Sequence, residues 1–184
     1  MAQEIKKKKN VQKQFFEVKA PLTSTKIMLY AASTEELEGR TIKLDMTKNL
    51  RGKNLELIMK VKKGENGLEA YPISSRLVSA YMRRMVRKGT DYVEDSFTTK
   101  CKDYELVVKP FLITRKKVSR AVRNELRKSA QEYLKGIMTP KTSLELFSDI
   151  MVGKIQKELS LRLKKIYPLA LCEIRIFEII DKKD

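Results

Sequence analysis

The residues of this chain whose types and spacing point to chemistry are arginines and lysines. Arg120, Arg123 and Arg127 recur at i, i+3 and i+7, a spacing that places them in one row along a helix. An arginine side chain suits phosphate because its planar guanidinium donates two parallel hydrogen bonds. The cationic segment Arg115–Lys117 comes just before this row. We therefore predict that residues 115–127 are the strongest phosphate-binding segment of the chain.

A second cationic row is predicted on a shorter helix. Ser74 or Ser75 can begin a helix that runs to about Lys88, and its apolar residues recur at helical spacing. A charged stripe on a helix is often only a solvated face. This one has no Asp or Glu to pair it, which favours phosphate binding. The basic residues on or beside the face opposite the apolar one are Arg76, Arg83, Arg84, Arg87 and Lys88.

The first 14 residues are basic and almost free of apolar side chains. Like charges this close together repel one another and resist folding on their own. We predict a disordered arm that becomes ordered on nucleic acid; a solubilising tail is the alternative. The lysines of this arm are Lys6, Lys7, Lys8, Lys9 and Lys13.

The net charge of the chain supports a polyanionic partner. Forty Lys and Arg against 23 Asp and Glu give a formal charge of +17. RNA or DNA is the usual partner of such a surface, because cations that neutralise phosphates release condensed counterions. The alternative is an ordinary protein from a lysine-rich proteome. The clustering of the basic residues argues against it.

The sequence has no candidate residues for catalysis or for metal binding. The chain has no histidine, the commonest general base and metal ligand, and Cys101 and Cys172 are far apart with no partners at zinc-binding spacing. We therefore expect no enzyme activity, catalytic residue, metal, cofactor or small-molecule substrate.

No apolar run approaches the roughly 18 residues of a membrane span, and the amino-terminal lysines precede no signal-peptide core. We expect a cytoplasmic protein with no membrane partner.

The elements that must position these residues predict an α+β fold. Alternating or continuous apolar runs predict strands, and helical periodicity predicts three to four helices. We predict one domain over residues 15–180 with a mostly antiparallel sheet, an arm over 1–14 and a frayed end over 181–184. The predicted strands are 15–20, 27–32, 41–46, 55–61, 68–73, 91–98, 104–114 and 170–176, with a hairpin connection over 100–103 and Cys172 as a core residue of the last strand. The predicted helices are 74–88, 118–136 and 142–166, the last beginning with a capping box of Thr142 and Glu145 and interrupted at Gly153.

Three classes of function compete. A DNA-binding regulator could place the helix over residues 118–136 in a major groove, yet compact helical or zinc modules are usual there. Basic residues spread over an arm, two helices and a loop suit a folded RNA, which is recognised through phosphates and shape. An enzyme is the third class, and it has no candidate site. We favour RNA binding, with a free-standing DNA- or RNA-binding regulator as the alternative.

Motifs along nearly the whole chain resemble the archaeal and eukaryotic small-subunit ribosomal protein family S3Ae, also called eS1. Residues 15–21, FFEVKAP, are similar to the family's start after a basic arm, and Gly39-Arg40 to its Gly-Arg pair before a strand. Further similar segments are 82–88, 98–104, 111–116 and 153–155, and KKIYPL over 164–169 is the most specific.

The resemblance implies an α+β fold with a barrel-like sheet, on the platform of the small subunit near the mRNA exit. Its implied partners are rRNA and neighbouring ribosomal proteins, with mRNA near the exit as a further candidate, and its implied role is structural, in translation. Arg40 joins the candidate RNA-binding residues through this resemblance. Two features depart from the family: the hairpin glycine beside Asp103 is missing, and residues 115–123 are shorter and less polar than the corresponding loop of eukaryotic members. The long eukaryotic carboxy-terminal tail is also absent, which favours an archaeal type.

Overall fold

A computed structural model of the chain describes residues 12–23, 26–50, 52–64 and 67–180. The chain divides into two compact units, residues 1–42 with 60–71 and residues 43–59 with 72–184. The predicted α+β class is confirmed, since the described ranges contain nine strands and four α-helices. The strands are β1 Gln14–Lys19, β2 Ile27–Ala31, β3 Thr41–Asp45, β4 Leu55–Gly64, β5 Gly67–Leu77, β6 Tyr92–Glu94, β7 Phe97–Lys100, β8 Glu105–Thr114 and β9 Leu169–Ile180, and the helices are α1 Ser79–Met85, α2 Arg120–Met138, α3 Ser143–Val152 and α4 Lys154–Leu163.

The first unit is built on a hairpin. Strands β1 and β2 pair antiparallel, with Phe15 opposite Tyr30, and β1 pairs parallel with β5, with Val18 opposite Leu68. Side chains of a strand alternate between its two faces, so Val18 is fully buried while Phe15 is exposed. The alternation fixes which side chains of the hairpin reach solvent.

The second unit contains a long strand pair. Strand β8 pairs antiparallel with β9 along its whole length, and β6 and β7 also pair antiparallel with β8. Pro110 lies inside β8, and the register to β9 shifts between Lys109 and Pro110. A proline has no N–H to donate to a ladder, which is why it coincides with an irregularity. On β9, Phe177 packs edge to face on Phe147 of α3, with ring centroids 4.8 Å apart.

The helices of this unit begin and end where local chemistry predicts. The Ser119 hydroxyl accepts a hydrogen bond from Val122 N at the start of α2. At the start of α3, Thr142 and Glu145 form the predicted capping box. Gly153, with a φ of 80°, separates α3 from α4. Since side chains other than glycine rarely adopt this φ, the predicted interruption becomes a boundary between two helices.

The helix predicted over 74–88 is wrong in its first half. Strand β5 continues to Leu77, and α1 covers only Ser79–Met85. Ser74 and Ser75 are buried and pair with Glu178 and Phe177 of β9. A ladder to a partner 100 residues away outweighs local helical periodicity, because intrinsic propensities are worth only a fraction of a kcal/mol per residue. Arg76 is therefore a strand residue, and Arg87 and Lys88 follow α1.

Other predictions are confirmed or refined. The hairpin over residues 100–103 is present, and without its glycine the turn is closed by Cys101 N donating to Tyr104 O at 2.9 Å. The strand predicted over 91–98 forms as two, β6 and β7. Most of the described strand pairs are antiparallel, as predicted.

The limits of the domain stay a prediction. Residues 1–11 and 181–184 lie outside the described residues, and with them most of the predicted arm and the predicted frayed end. Strand β1 begins at Gln14 and β9 ends at Ile180. Among the described helices, none combines the length and apolarity that crossing a membrane requires.

Candidate nucleic-acid interface

Two basic loops of the second unit lie side by side. One follows α1 and contains Arg87 and Lys88; the other precedes α2 and contains Arg115, Lys116 and Lys117. We call these five residues the paired basic loops. All five side chains are exposed, and no ion pair to an acidic residue forms at any of them within the part of the chain that the structure describes.

Asp91 and Thr114 hold the paired basic loops together. Thr114 N donates to Asp91 O at 2.9 Å, and Asp91 N donates to the Thr114 hydroxyl at 3.1 Å. The Asp91 carboxylate accepts from Val118 N at 2.9 Å. The hydroxyl of Thr114 lies 2.7 Å from Lys116 O and 2.9 Å from Asp91 O, either of which can accept its hydrogen. Asp91 and Thr114 therefore hold the backbone on both sides, and the Asp91 carboxylate is bonded to a backbone N–H.

The three arginines of α2 differ in their exposure and in their hydrogen bonds. Arg120 is exposed at the first position of the helix, whereas Arg123 is half-buried. Arg123 precedes Leu126 by three residues and Ala130 by seven, which puts it on the same stripe as these buried residues. Its Nε atom is buried and has no hydrogen-bond partner among the described residues. Arg127 is exposed and donates to Glu94 O and to Asn124 Oδ1, both at 3.3 Å.

The arginines of the second predicted row separate in the structure. Arg76 is on β5, and its Nη2 atom donates to both carboxylate oxygens of Glu178, at 2.9 and 3.1 Å. Arg84 donates to Asn54 Oδ1 at 2.9 Å and lies 5.9 Å from the ring centroid of Tyr81. Arg83 is exposed in the last turn of α1. The expectation that this row carries only unpaired positive charge is wrong for Arg76, because Glu178 reaches it from β9.

In the first unit, two predicted RNA-binding residues flank an exposed aromatic pair. The rings of Phe15 and Tyr30 are 4.9 Å apart and tilted by 45°. Lys13 Nζ lies 5.9 Å from the Tyr30 ring, and Arg40 donates to Tyr30 O at 3.3 Å. Sequence reasoning predicted Lys13 and Arg40 but missed both rings. The signal was there: adjacent Phe15 and Phe16 cannot both face inward from one strand.

The remaining candidates have no described surroundings. Lys6, Lys7, Lys8 and Lys9 lie outside the described residues.

The acidic and sulfur-containing side chains do not gather into a metal site. Over residues 12–23, 26–50, 52–64 and 67–180, no three of His, Cys, Asp or Glu are placed to hold an ion. Both cysteines are free. Burial raises the pKa of the Cys172 thiol to about 12, so this side chain is a neutral thiol at physiological pH. Cys172 therefore acts as a packing residue of β9, as the sequence predicted.

Exposed cationic loops and cation-flanked rings on an α+β framework define a class of basic protein that is suited to polyanions. Comparison with known protein families shows which family within that class the chain matches. The model of the ribosomal S3Ae family matches residues 2–183, and this chain belongs to that family. The predicted family is confirmed.

Relatives named small ribosomal subunit protein eS1 from several archaea are similar to this chain, which confirms the predicted archaeal type. The chain is 29% identical to that of Nanoarchaeum equitans over 171 residues, 89% of this chain and 86% of the relative. It is 26% identical to that of Haloarcula marismortui over 177 residues, 91% of this chain and 83% of the relative. Identity to that of Methanothermobacter thermautotrophicus is 37% over 103 residues, 55% of this chain and about half (53%) of the relative.

Proposed function

We propose that this chain is a structural constituent of the small ribosomal subunit, where it binds rRNA in the cytoplasm and supports translation. The match to the S3Ae family over residues 2–183 and the relatives named small ribosomal subunit protein eS1 support this role. The proposal extends to the finer assignments that the resemblance implies: a place on the platform near the mRNA exit, and contacts with neighbouring ribosomal proteins and with mRNA.

The observation that carries the proposal is the pair of basic loops fixed by Asp91 and Thr114. Five exposed cations lie on two loops that adjoin Asp91 and Thr114, and four hydrogen bonds of these two residues hold the ends of the loops in place. Side chains on a fixed backbone lose less freedom when they bind than side chains on a mobile one. Each phosphate that they neutralise releases counterions, which favours binding at physiological salt. Such contacts recognise the shape of a folded RNA rather than its sequence.

We predict that replacing Arg115, Lys116 and Lys117 together with alanine weakens binding to small-subunit rRNA and changes its salt dependence. The slope of log K against log salt should fall in magnitude by about two to three, since each phosphate contact contributes about 0.7 to 0.9. Filter binding of the full chain to the rRNA over a salt series measures the slope.

A matched control removes three cations that already face carboxylates. Lys43, Lys100 and Arg175 lie 3.5, 3.6 and 3.0 Å from the carboxylate oxygens of Glu56, Glu105 and Glu94. Changing all three to alanine lowers the net charge equally but should alter the slope by less than about one. An equal change in both variants would show that overall charge, not the paired basic loops, drives binding.

The alternative hypothesis, a free-standing DNA- or RNA-binding regulator, predicts a different binding behaviour. It should bind one sequence on the order of 10³-fold or more tightly than random competitors, whereas the proposed function requires a preference for folded rRNA without that ratio. Competition at fixed salt separates the two. Sedimentation of the native protein away from small subunits at physiological salt would refute the ribosomal role.

A further inference from the structure

The solvent face of the β1–β2 hairpin carries two exposed aromatic rings. Phe15 is 68% exposed and Tyr30 51% exposed, and they are cross-strand partners. A phenylalanine exposed to this degree leaves its ring in water, which costs free energy unless a partner covers it. The rings thus form a small apolar surface on a β-hairpin.

The surroundings of the rings are cationic. Lys13 Nζ lies 5.9 Å from the Tyr30 ring, and Arg40 donates to the Tyr30 carbonyl. Two more lysines are exposed nearby: Lys19 is the last residue of β1, and Lys26 immediately precedes β2. The one acidic side chain among the outward residues of these strands, Glu17, lies 3.7 Å from Lys26 Nζ and is thereby balanced.

We propose that Phe15 and Tyr30 form a stacking site for an unpaired base of rRNA, with Lys13 and Arg40 holding the phosphates on either side. This inference deepens the proposed function and rests on it. Aromatic faces beside cations are how proteins hold single-stranded nucleic acid, because every base has a face to stack and a phosphate to neutralise.

The geometry specifies how a base is held. The ring centroids are 4.9 Å apart and the planes tilt by 45°. Stacked planes lie roughly 3.4 Å apart, so a base between the rings would need about twice that separation. The base therefore stacks on the outer face of a ring rather than between the two. One or two unpaired nucleotides can be held in this way.

A protein neighbour fits this surface less well. The centres of protein–protein interfaces are depleted in lysine, whereas exposed lysines lie in or next to both strands of this hairpin. Burying them against a protein would require acidic partners or cost desolvation. Phosphate supplies the opposite charge directly.

The test uses the full chain and two RNA probes at one salt concentration. One probe is a single-stranded octanucleotide with a central 2-aminopurine, whose fluorescence falls when the base stacks; the other is a 16-base-pair RNA duplex. Phe15→Ala and Tyr30→Ala should each weaken single-strand binding by roughly 5- to 100-fold and abolish the quenching, while duplex binding changes less than twofold.

Two controls keep the result specific. Tyr30→Phe retains the ring and should retain affinity. Leu161→Ala removes an apolar side chain that is also 68% exposed, on α4 of the second unit, and should change neither probe. Circular dichroism verifies that each variant is folded. Unchanged single-strand affinity in both ring variants, or an equal loss with the duplex, would overturn the stacking site.

Whether the stacked base belongs to rRNA is tested on intact small ribosomal subunits. Ultraviolet irradiation of small subunits washed free of mRNA should cross-link a peptide that contains Phe15 or Tyr30 to an rRNA nucleotide. Cross-links that form only when mRNA is added, or only to another protein, would refute rRNA as the occupant. The aromatic variants should keep the salt slope of the wild type, so this inference can fail while the cationic loops still bind rRNA.

Discussion

A basic residue is available to phosphate only if nothing in its own protein satisfies it first. Arg76 and Arg83 have the same side chain, yet Arg76 is held by both oxygens of Glu178 while Arg83 is exposed in the last turn of α1. A surface ion pair is worth at most about 1 kcal/mol, so RNA can break it. The breaking nevertheless subtracts from the free energy of binding, which makes Arg76 a weaker candidate than the paired basic loops.

Arg123 gives a residue-scale prediction because its Nε atom is buried without a partner among the described residues. Replacing an unsatisfied buried polar group with an apolar one of similar length removes a desolvation cost. We expect Arg123→Met to leave the free energy of unfolding unchanged or to raise it by up to about 1 kcal/mol, measured by urea denaturation.

The matched variant is Arg120→Met, three residues earlier and exposed. It should leave stability within about 0.5 kcal/mol while reducing the salt slope of rRNA binding by nearly one. If Arg123→Met instead reduced the slope and Arg120→Met did not, the assignment of roles along α2 would be reversed.

At the scale of elements, the placement of the basic loops depends on strands rather than on helices. The segment after α1 and the segment before α2 meet because Asp91 and Thr114 bond to each other where β6 and β8 pair. The loops themselves are short and polar. Their position therefore comes from the register of the strands beside them.

Thr114→Val tests this dependence. Thr114 is fully buried, and its hydroxyl accepts from Asp91 N while it lies within bonding distance of Lys116 O. Losing the hydroxyl leaves buried polar groups without a partner, which should lower the free energy of unfolding by about 1–3 kcal/mol. It should also weaken rRNA binding, although no cation is removed.

Urea denaturation and filter binding measure the two effects. Thr98→Val, an exposed change on β7, serves as the control and should stay within about 0.5 kcal/mol. Loops that bind rRNA equally well in Thr114→Val would show that their backbone does not need this anchor.

At the scale of the whole molecule, the net charge of +17 acts against the isolated chain. Like charges repel in the compact state, and salt screens them over about 10 Å at 0.1 M. We expect the thermal midpoint of the free protein to rise between 0.05 and 0.5 M salt, while its affinity for rRNA falls over the same range. Differential scanning fluorimetry and filter binding follow the two quantities. A midpoint that falls with salt would mean that attractive ion pairs outweigh the repulsion.

Most of the fold was predictable because local patterns and long-range pairing agree. Leu55, Leu57, Met59 and Val61 alternate in the sequence and are all fully buried on β4. The capping box of Thr142 and Glu145 forms as predicted. In these segments each residue's own preference already matches its position in the fold.

The helix predicted over residues 74–88 is wrong in its first half because the local periodicity and the long-range strand pairing disagree there. Its spacing is helical, but its first residues pair with β9, which lies 100 residues further along the chain. Contacts that the sequence pattern does not show also determine which candidate arginines are free. Arg76 bonds to Glu178, and Arg123 lies on the same stripe of α2 as the buried residues.

The sequence by itself determined the charge, the lack of histidine, the family motifs and most of the elements. These properties depend on composition and on neighbours within a few residues, so no tertiary contact is needed to read them. Only the tertiary structure decided which cations stay unpaired, which loops meet and which rings face water. Those outcomes depend on strand register and on partners far away in sequence, and hydrophobic periodicity contains no information about either.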